Sequence, residues 1–269
     1  MLIGRKDYAR RFDCKLLFVL IFNKMNFLGK TILVLLLIGV VVEVKARNSL
    51  KSVVFKVSGD IVSSYIWRGA YNAGASIQPT LSMGIGAFSL TAWGSKEISG
   101  THKEIDLTAA YRWGKFNIFV ADYWWEGEKL GDRVSWKNNN YFHFDDRNTA
   151  HHVEVGIGYV VSDKFPLCIS WSTMVWGADK KDNEKQNYSS YAEMTCPFSV
   201  KNVDLNFTLG FSPYESELYA VCGFSITNIE LGASKEIQFT KAFSLPVFTR
   251  IVFDPAHEDA HFVLGFTLR

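Results

Sequence analysis

Along residues 104–125 (EIDLTAAYRWGKFNIFVADYWW) hydrophobic and polar positions alternate with a period of two. Ile105, Leu107, Ala109, Tyr111 and Trp113 fall on one face, and Glu104, Asp106, Thr108, Ala110 and Arg112 on the other. Successive side chains of a strand point to opposite sides, so the segment predicts one strand with an oily and a charged face. Gly114-Lys115 then predicts a two-residue turn, with glycine where a type II′ hairpin requires it. Trp113 and Phe116 flank that turn on one face, which the return strand continues through Ile118 and Val120. Each arm has roughly 10 residues, the length of a tilted strand crossing a bilayer.

The unit repeats. His152, Glu154, Gly156 and Gly158 alternate with Val153, Val155, Ile157 and Tyr159; after a turn at Ser162-Asp163-Lys164, Leu167, Ile169 and Trp171 resume the apolar face. Tyr191, Glu193 and Thr195 alternate with Ala192, Met194 and Cys196, and a turn near Lys201-Asn202 leads into Leu205, Phe207, Leu209 and Phe211. The chain is expected to start its first strand at about Val53 and hold it to Arg68, with Tyr65 and Trp67 on the apolar face and residues 69–75 as a loop. Pro79, awkward inside a closed sheet, predicts a bulge in the second strand. In residues 218–237 the alternation changes phase near Thr227-Asn228, which predicts one long or bulged strand.

Alternation alone fits a soluble sandwich as well as a membrane barrel, so other features decide. Short turns alternate with long polar loops, 126–148 and 177–187 among them, the asymmetry of outer-membrane barrels. Trp67, Trp93, Trp124, Trp125 and Trp176 fall at the loop ends of strands; Tyr111, Trp113, Phe116, Tyr159, Phe165 and Phe198 fall at the turn ends. Two aromatic bands a strand length apart are what the two interfaces of a bilayer select. Phe262, Leu264, Phe266 and Leu268 make an amphipathic closing strand of the kind outer-membrane assembly machinery reads, although the last residue is Arg269 rather than an aromatic. The expectation is all-β: a transmembrane antiparallel up-and-down barrel of about twelve strands over residues 47–269, with both termini on the turn side.

The formal net charge of +2 changes meaning when the chain is divided. Residues 1–46 hold 8 Lys/Arg and 3 Asp/Glu, leaving 21 basic and 24 acidic residues in the remainder, so no basic nucleic-acid surface is indicated. Lys30, the apolar residues 31–42 and Val44-Lys45-Ala46 read as a signal peptide cleaved after Ala46. A second apolar run, 16–22, lies upstream of Met25, which suggests Met25 as the true start and residues 1–24 as an over-extension. Twelve apolar residues are short for a permanent helical anchor, which needs roughly 20. The location implied is the outer membrane of a Gram-negative envelope.

Strand phase places Lys56, Asp60, Arg68, Glu104, Asp106, Arg112, Glu154, Glu193, Asp204 and Arg250 on the inward face. Charges there must be wet or paired. Two outcomes stay open: a water-filled pore whose charge rows tune passage of small hydrophilic solutes, or a paired network plugging a narrow barrel. Arg68 is expected to face the acidic cluster at a constriction. Enzyme signals are weak, and an envelope enzyme is only the third reading. Gly84-Ile85-Gly86 is followed by no helix, and His151, His152, His257 and His261 read as loop-edge histidines without metal spacing. His143, Asp145 and Asp146 are a weak candidate for gripping a cation in the long loop. No cofactor is expected. Cys168 should face in and Cys196 out, so a bridge between them is not expected, and Cys168, Cys196 and Cys222 read as buried small apolar residues.

The segment Ser63-Ser64-Tyr65-Ile66-Trp67-Arg68-Gly69, followed by Trp93-Gly94-Ser95, resembles the opening of the uncharacterised Gcw_chp-type outer-membrane barrels. That family pairs an S-x-Y-x-x-R-G segment with a W-G-S segment on an early strand. The likeness covers the first three strands, beyond which only the strand pattern is shared. It implies an envelope barrel and carries no settled activity. Porin-like transport is the expected function; the alternative is a closed surface barrel whose external loops bind a partner or glycan.

Overall fold

The computed structural model describes residues 52–126, 140–145, 149–181, 183–241 and 243–269. The expectations for the signal peptide, for most of the 126–148 loop and for Asp146 lie outside the described residues. The described chain is all-β. Twelve strands close into one antiparallel barrel in the order β1(Val54–Val62), β14(Asp259–Leu268), β13(Phe243–Asp254), β12(Ser225–Thr240), β11(Val203–Ser212), β10(Ser190–Val200), β9(Cys168–Gly177), β8(His151–Val160), β7(Phe116–Trp125), β6(Lys103–Trp113), β5(Phe88–Glu97), β4(Ser76–Ile85), and β4 pairs back onto β1. Each strand neighbours its sequence neighbour, as an up-and-down barrel demands. The seam is the short β1–β14 ladder from Gly59–Leu268 to Val62–Gly265. Across it Thr267 Oγ1 donates to Asp60 Oδ1 at 2.6 Å.

The period-two pattern sets the faces. Val57, Trp113 and Phe262 stand 72 %, 69 % and 63 % exposed on the outer wall, each alternating with residues that point inward. Inside, large rings lie over glycines of neighbouring strands. A Cβ on Gly156 would fall 2.3 Å from the Phe119 ring, one on Gly210 1.8 Å from Tyr191 Oη, and one on Gly265 2.4 Å from the Phe248 ring. Missing side chains on one strand thus make room for rings on the next, and the interior of a narrow barrel fills.

Several local expectations hold. Gly114 takes the turn with φ of 58°. Lys201 forms the left-handed corner of the β10–β11 turn with φ of 57°. The phase change at Thr227-Asn228 is a bulge in the 16-residue β12: Gly210 faces Asn228 but Phe211 faces Ile226, so Thr227 is the extra residue. Residues 213–224 precede that strand as a loop. The three cysteines among the described residues are free, Cys168 and Cys196 half-buried; Cys222 is exposed in that loop rather than buried.

Others are corrected. Pro79 makes no bulge. It faces Gly59 in β1, and the β4–β5 ladder passes over Gln78 and Pro79 with its register unchanged, so the missing N–H falls at a gap in the pairing. The first strand does not run to Arg68. It ends at Val62, because Ser63 N donates to Leu264 O at 2.8 Å and Ser63 Oγ accepts from Leu264 N at 2.9 Å, tying the exit of the chain to the rim. The next residues form a separate two-stranded hairpin, β2(Tyr65–Trp67) with β3(Ala70–Ala73), before β4 resumes the wall beside β1.

That hairpin carries its own small core. Val62, Ile66, Val252 and Val263 are buried together with Phe248 packed against them. Val252 and Val263 are fully buried. Val263→Ala removes two methyl equivalents there and should cost about 1.5–2 kcal/mol of unfolding free energy, read as a lower urea midpoint of the refolded barrel. An unchanged midpoint would mean that Ile66 does not seat on this patch.

Candidate functional site

The hairpin of residues 63–75 turns at Arg68-Gly69, and both residues have positive φ, 54° and 92°. Two positive values in a two-residue loop are those of a type I′ turn. Glycine accepts this freely; an arginine in the left-handed region costs about 1–2 kcal/mol. Something must hold it there. Gly69 packs against β12 so closely that a Cβ would come within 1.7 Å of Thr227 O. Arg68 then reaches Glu154 of β8 in a two-pronged ion pair, Nη1–Oε1 at 2.7 Å and Nη2–Oε2 at 2.8 Å. Bidentate geometry is what makes a guanidinium–carboxylate pair strong and directional.

The pair is enclosed by polar and aromatic groups from five elements. Tyr123 Oη donates to Glu154 Oε2 at 2.8 Å, and Arg68 Nη2 donates to Ser172 Oγ at 3.2 Å. Arg68 Nη1 also donates to the Tyr219 hydroxyl, which reaches down from the 213–224 loop. Burial pushes the Tyr219 phenol up, so it stays neutral and available as an acceptor. The guanidinium carbon lies 4.5 Å from the ring centres of both Trp67 and Tyr191, a separation at which cation–π attraction adds to the ion pair. The Glu154 side chain is fully buried and that of Arg68 13 % exposed.

A second anchor holds the hairpin nearer its base. Tyr65 Oη donates to Glu104 Oε1 at 3.2 Å, while Trp125 Nε1 donates to the same oxygen at 2.6 Å. The Tyr65 ring lies 5.4 Å from that of Trp93. Gly94 lets β5 run close to β6, since a Cβ would sit 3.3 Å from Glu104 O, and the buried Ser95 accepts from Gln78 Nε2 at 3.4 Å. The segments 63–69 and 93–95, apart in sequence, therefore meet where Tyr65 lies against Trp93.

Trp67 and Arg68 line two cavities at once. The larger, about 820 Å³, opens among the loops. The smaller, about 320 Å³, includes Glu193, Glu230 and Arg250 in its wall. The hairpin tip is the partition between them. The wall of the larger cavity carries six carboxylates, Glu104, Asp179, Glu184, Glu217, Asp254 and Asp259, against three permanent cations, Arg68, Lys180 and Lys181. Its loops are tied together from within: Ser216 Oγ donates to Ser189 Oγ, and Ser189 Oγ donates to Asp179 Oδ1, both at 2.7 Å. Burial raises the Asp179 carboxyl pKa against these bonds.

The structure sorts the ten inward candidates. Arg68 and Glu154 are partners, so Arg68 faces one of the acidic candidates. Glu104 is buried under the hairpin, and Asp106 follows it on the same face, its Oδ1 buried without a hydrogen bond. Glu193 accepts from Tyr191 Oη at 3.1 Å, and Arg250 pairs with Glu230 at 3.4 Å around the smaller cavity. Asp60 is taken up at the seam. Asp204 accepts from Ser199 Oγ at 2.7 Å and is exposed, like Lys56 and Arg112, near the turns.

The upper aromatic band is corrected. Trp67 belongs to the hairpin, and Trp93 and Trp125 point inward with Asp106 and Glu104 beside them. Trp124 is buried with its ring 5.8 Å from that of Tyr141. The inward rings find partners that a lipid-facing position lacks: Trp125 stands 4.2 Å from His152 and 5.5 Å from Trp67. The turn-end band stands outward as expected, with Trp113, Phe165 and Phe198 exposed. His151 and His152 open β8 at the edge of the long loop, as expected, and are fully buried. His151 Nδ1 lies 2.9 Å from Asp122 Oδ1, and its Nε2 lies 2.7 Å from Tyr141 O.

Sequence reasoning missed Tyr123, Ser172, Tyr191 and Tyr219. The first three share the inward phase of Glu154 and Glu193, a signal that was available; Tyr219 sits in a loop without periodicity. No known protein family matches the chain, and no curated protein is detectably similar to it. The geometry therefore carries the functional argument.

Two outcomes test this site. Removing either partner of the buried pair, by Arg68→Met or Glu154→Gln, should cost about 3–5 kcal/mol, while the double variant should lose much less than the sum. Additive losses in urea unfolding would show that the pair is not coupled. At the β13–β14 turn, the hydrogen bond from His257 Nδ1 to Asp254 Oδ2, 2.7 Å long, raises the imidazole pKa above 6.5. The contact is fully present below pH 6.5 and is lost as pH rises through the raised value. An NMR titration should place the His257 midpoint above 6.5, and Asp254→Asn should bring it back.

Proposed function

We propose that residues 47–269 form an outer-membrane β-barrel whose passage for small hydrophilic solutes is held shut by its own first loop. The observation that carries the reading is the Arg68–Glu154 clamp at the tip of an inward hairpin. It stands between a loop-side cavity and a second cavity lined by Glu193, Glu230 and Arg250. Such a clamp resists leakage because each charge, if exposed singly to the interior, would be costly to leave unpaired.

Several features support the membrane part. The outer wall bears exposed Val57, Leu107, Ile157, Phe207 and Leu264 on five different strands, an apolar surface far beyond the few hundred Å² that soluble monomers leave open. Short turns and the C-terminus lie on one rim and long loops on the other, the asymmetry of bacterial barrels. The exposed rings at the turn ends suit an interfacial belt. The resemblance of residues 63–69 and 93–95 to Gcw_chp-type barrels agrees, and the closing strand Phe262–Leu268 supplies what the assembly machinery would read. No catalytic step is assigned to the chain.

Relative to an open porin, the filled interior shifts the reading toward closure. Planar-bilayer recording of the refolded chain should give a silent or barely conducting barrel, and Arg68→Ala, checked for folding by heat-modifiable migration, should give discrete steps. Large steps from the unaltered protein would overturn closure. Silence from a folded Arg68→Ala barrel would remove the channel and leave a closed surface barrel that acts through its loops.

A further inference from the structure

One wall of the loop-side cavity has polar atoms that the fold itself leaves unused. Thr227 is the bulge residue of β12, and Gly69 packs close beside its carbonyl. It is 2 % exposed, lines the cavity, and its Oγ1 has no hydrogen-bond partner. Asp254, at the end of the neighbouring β13, is 3 % exposed and lines the same cavity. His257 occupies its Oδ2, but its Oδ1 has no partner. Asn228, one residue beyond the last β12–β13 pair at Ile229–Phe253, is 4 % exposed and leaves Oδ1 unpartnered as well. Buried polar oxygens are almost always satisfied, and leaving one without a donor costs about 1–3 kcal/mol. Three lie at one bulge, two of them on residues that line the cavity, and they are left for donors from outside the chain.

Two further properties identify the donor. The cavity wall holds six carboxylates against three permanent cations, with His102, His257 and His261 beside Glu104, Asp254 and Asp259, and Arg68 is already neutralised by Glu154. An enclosed space of this sign concentrates cations. Trp67 and Trp125 line the same wall, and aromatic rings attract cations but not anions. At about 820 Å³ the space lies in the range of small-molecule sites.

From the unpaired oxygens of Thr227 and Asp254 in an acidic, aromatic cavity, we infer a binding site for a small organic cation bearing N–H donors, an ammonium or guanidinium compound. The ammonium donates to Asp254 Oδ1 and Thr227 Oγ1, and its carbon chain lies against the tryptophan rings. The aqueous loop rim is the way in, so binding needs no passage through the clamp and does not depend on whether the barrel conducts.

The test is isothermal titration of the refolded full chain with 1,4-diaminobutane, using 1,4-butanediol and succinate as neutral and anionic counterparts of the same chain length. Saturable one-to-one binding of the diamine is expected, with neither counterpart binding. Asp254→Asn should weaken it about tenfold or more, the loss that follows from removing one charge-assisted hydrogen bond. Thr227→Val, which keeps the side-chain shape, should weaken it several-fold and serves if the Asp254 variant does not fold. Equal binding of diamine and diol, no saturable binding of the diamine, or diamine binding untouched in a folded variant would overturn the site.

Discussion

Everything inside this barrel depends on one arginine being paired. Arg68 sits at a turn in a backbone conformation unfavourable for it, inside a wall that excludes most water, and Glu154 makes both tolerable by meeting its two nitrogens with two oxygens. The partners come from opposite sides of the lumen. Their contact therefore fixes the depth of the hairpin, and the depth fixes what the two cavities are. Tyr123, Ser172 and Tyr219 take up the remaining hydrogen-bonding capacity, which separates a clamp from a buried liability.

The rest of the interior is arranged around that insertion. Rings on β7, β10 and β13 lie over glycines on adjacent strands, so the interior fills around the hairpin except at the two cavities. Where the hairpin touches β12, Thr227 stands out of the ladder as a bulge. Thus a local mismatch at the wall is the counterpart of a close fit at the tip. The bulge leaves buried oxygens without donors beside an acidic cavity, so the hairpin inside the lumen also borders the space above it.

Much of this was legible in the residues. Strand number, inward phase, the Gly114 turn and the shift at Thr227 follow from side-chain alternation and turn chemistry, which act over neighbouring residues and leave their mark in order along the chain. The placement of Arg68 against a carboxylate could also be anticipated, because a charge on an inward face needs a partner. Its partner could not be named among Glu104, Asp106, Glu154 and Glu193, since all share one phase and differ only in position around the ring.

Period-two reading failed where the chain leaves the sheet. Tyr65 and Trp67 continue the odd-numbered apolar face of β1, yet they belong to a hairpin whose rings pack inside. Trp93 and Trp125 stood at strand ends where an interface would select them, but they point to Glu104 and the hairpin. The sequence by itself determined the wall, because each strand carries its own alternation. The direction of the first loop was decided only by tertiary structure: inward or outward depends on whether the lumen offers Glu154, Glu104 and a glycine-lined gap at matching depth, and those belong to strands far along the chain.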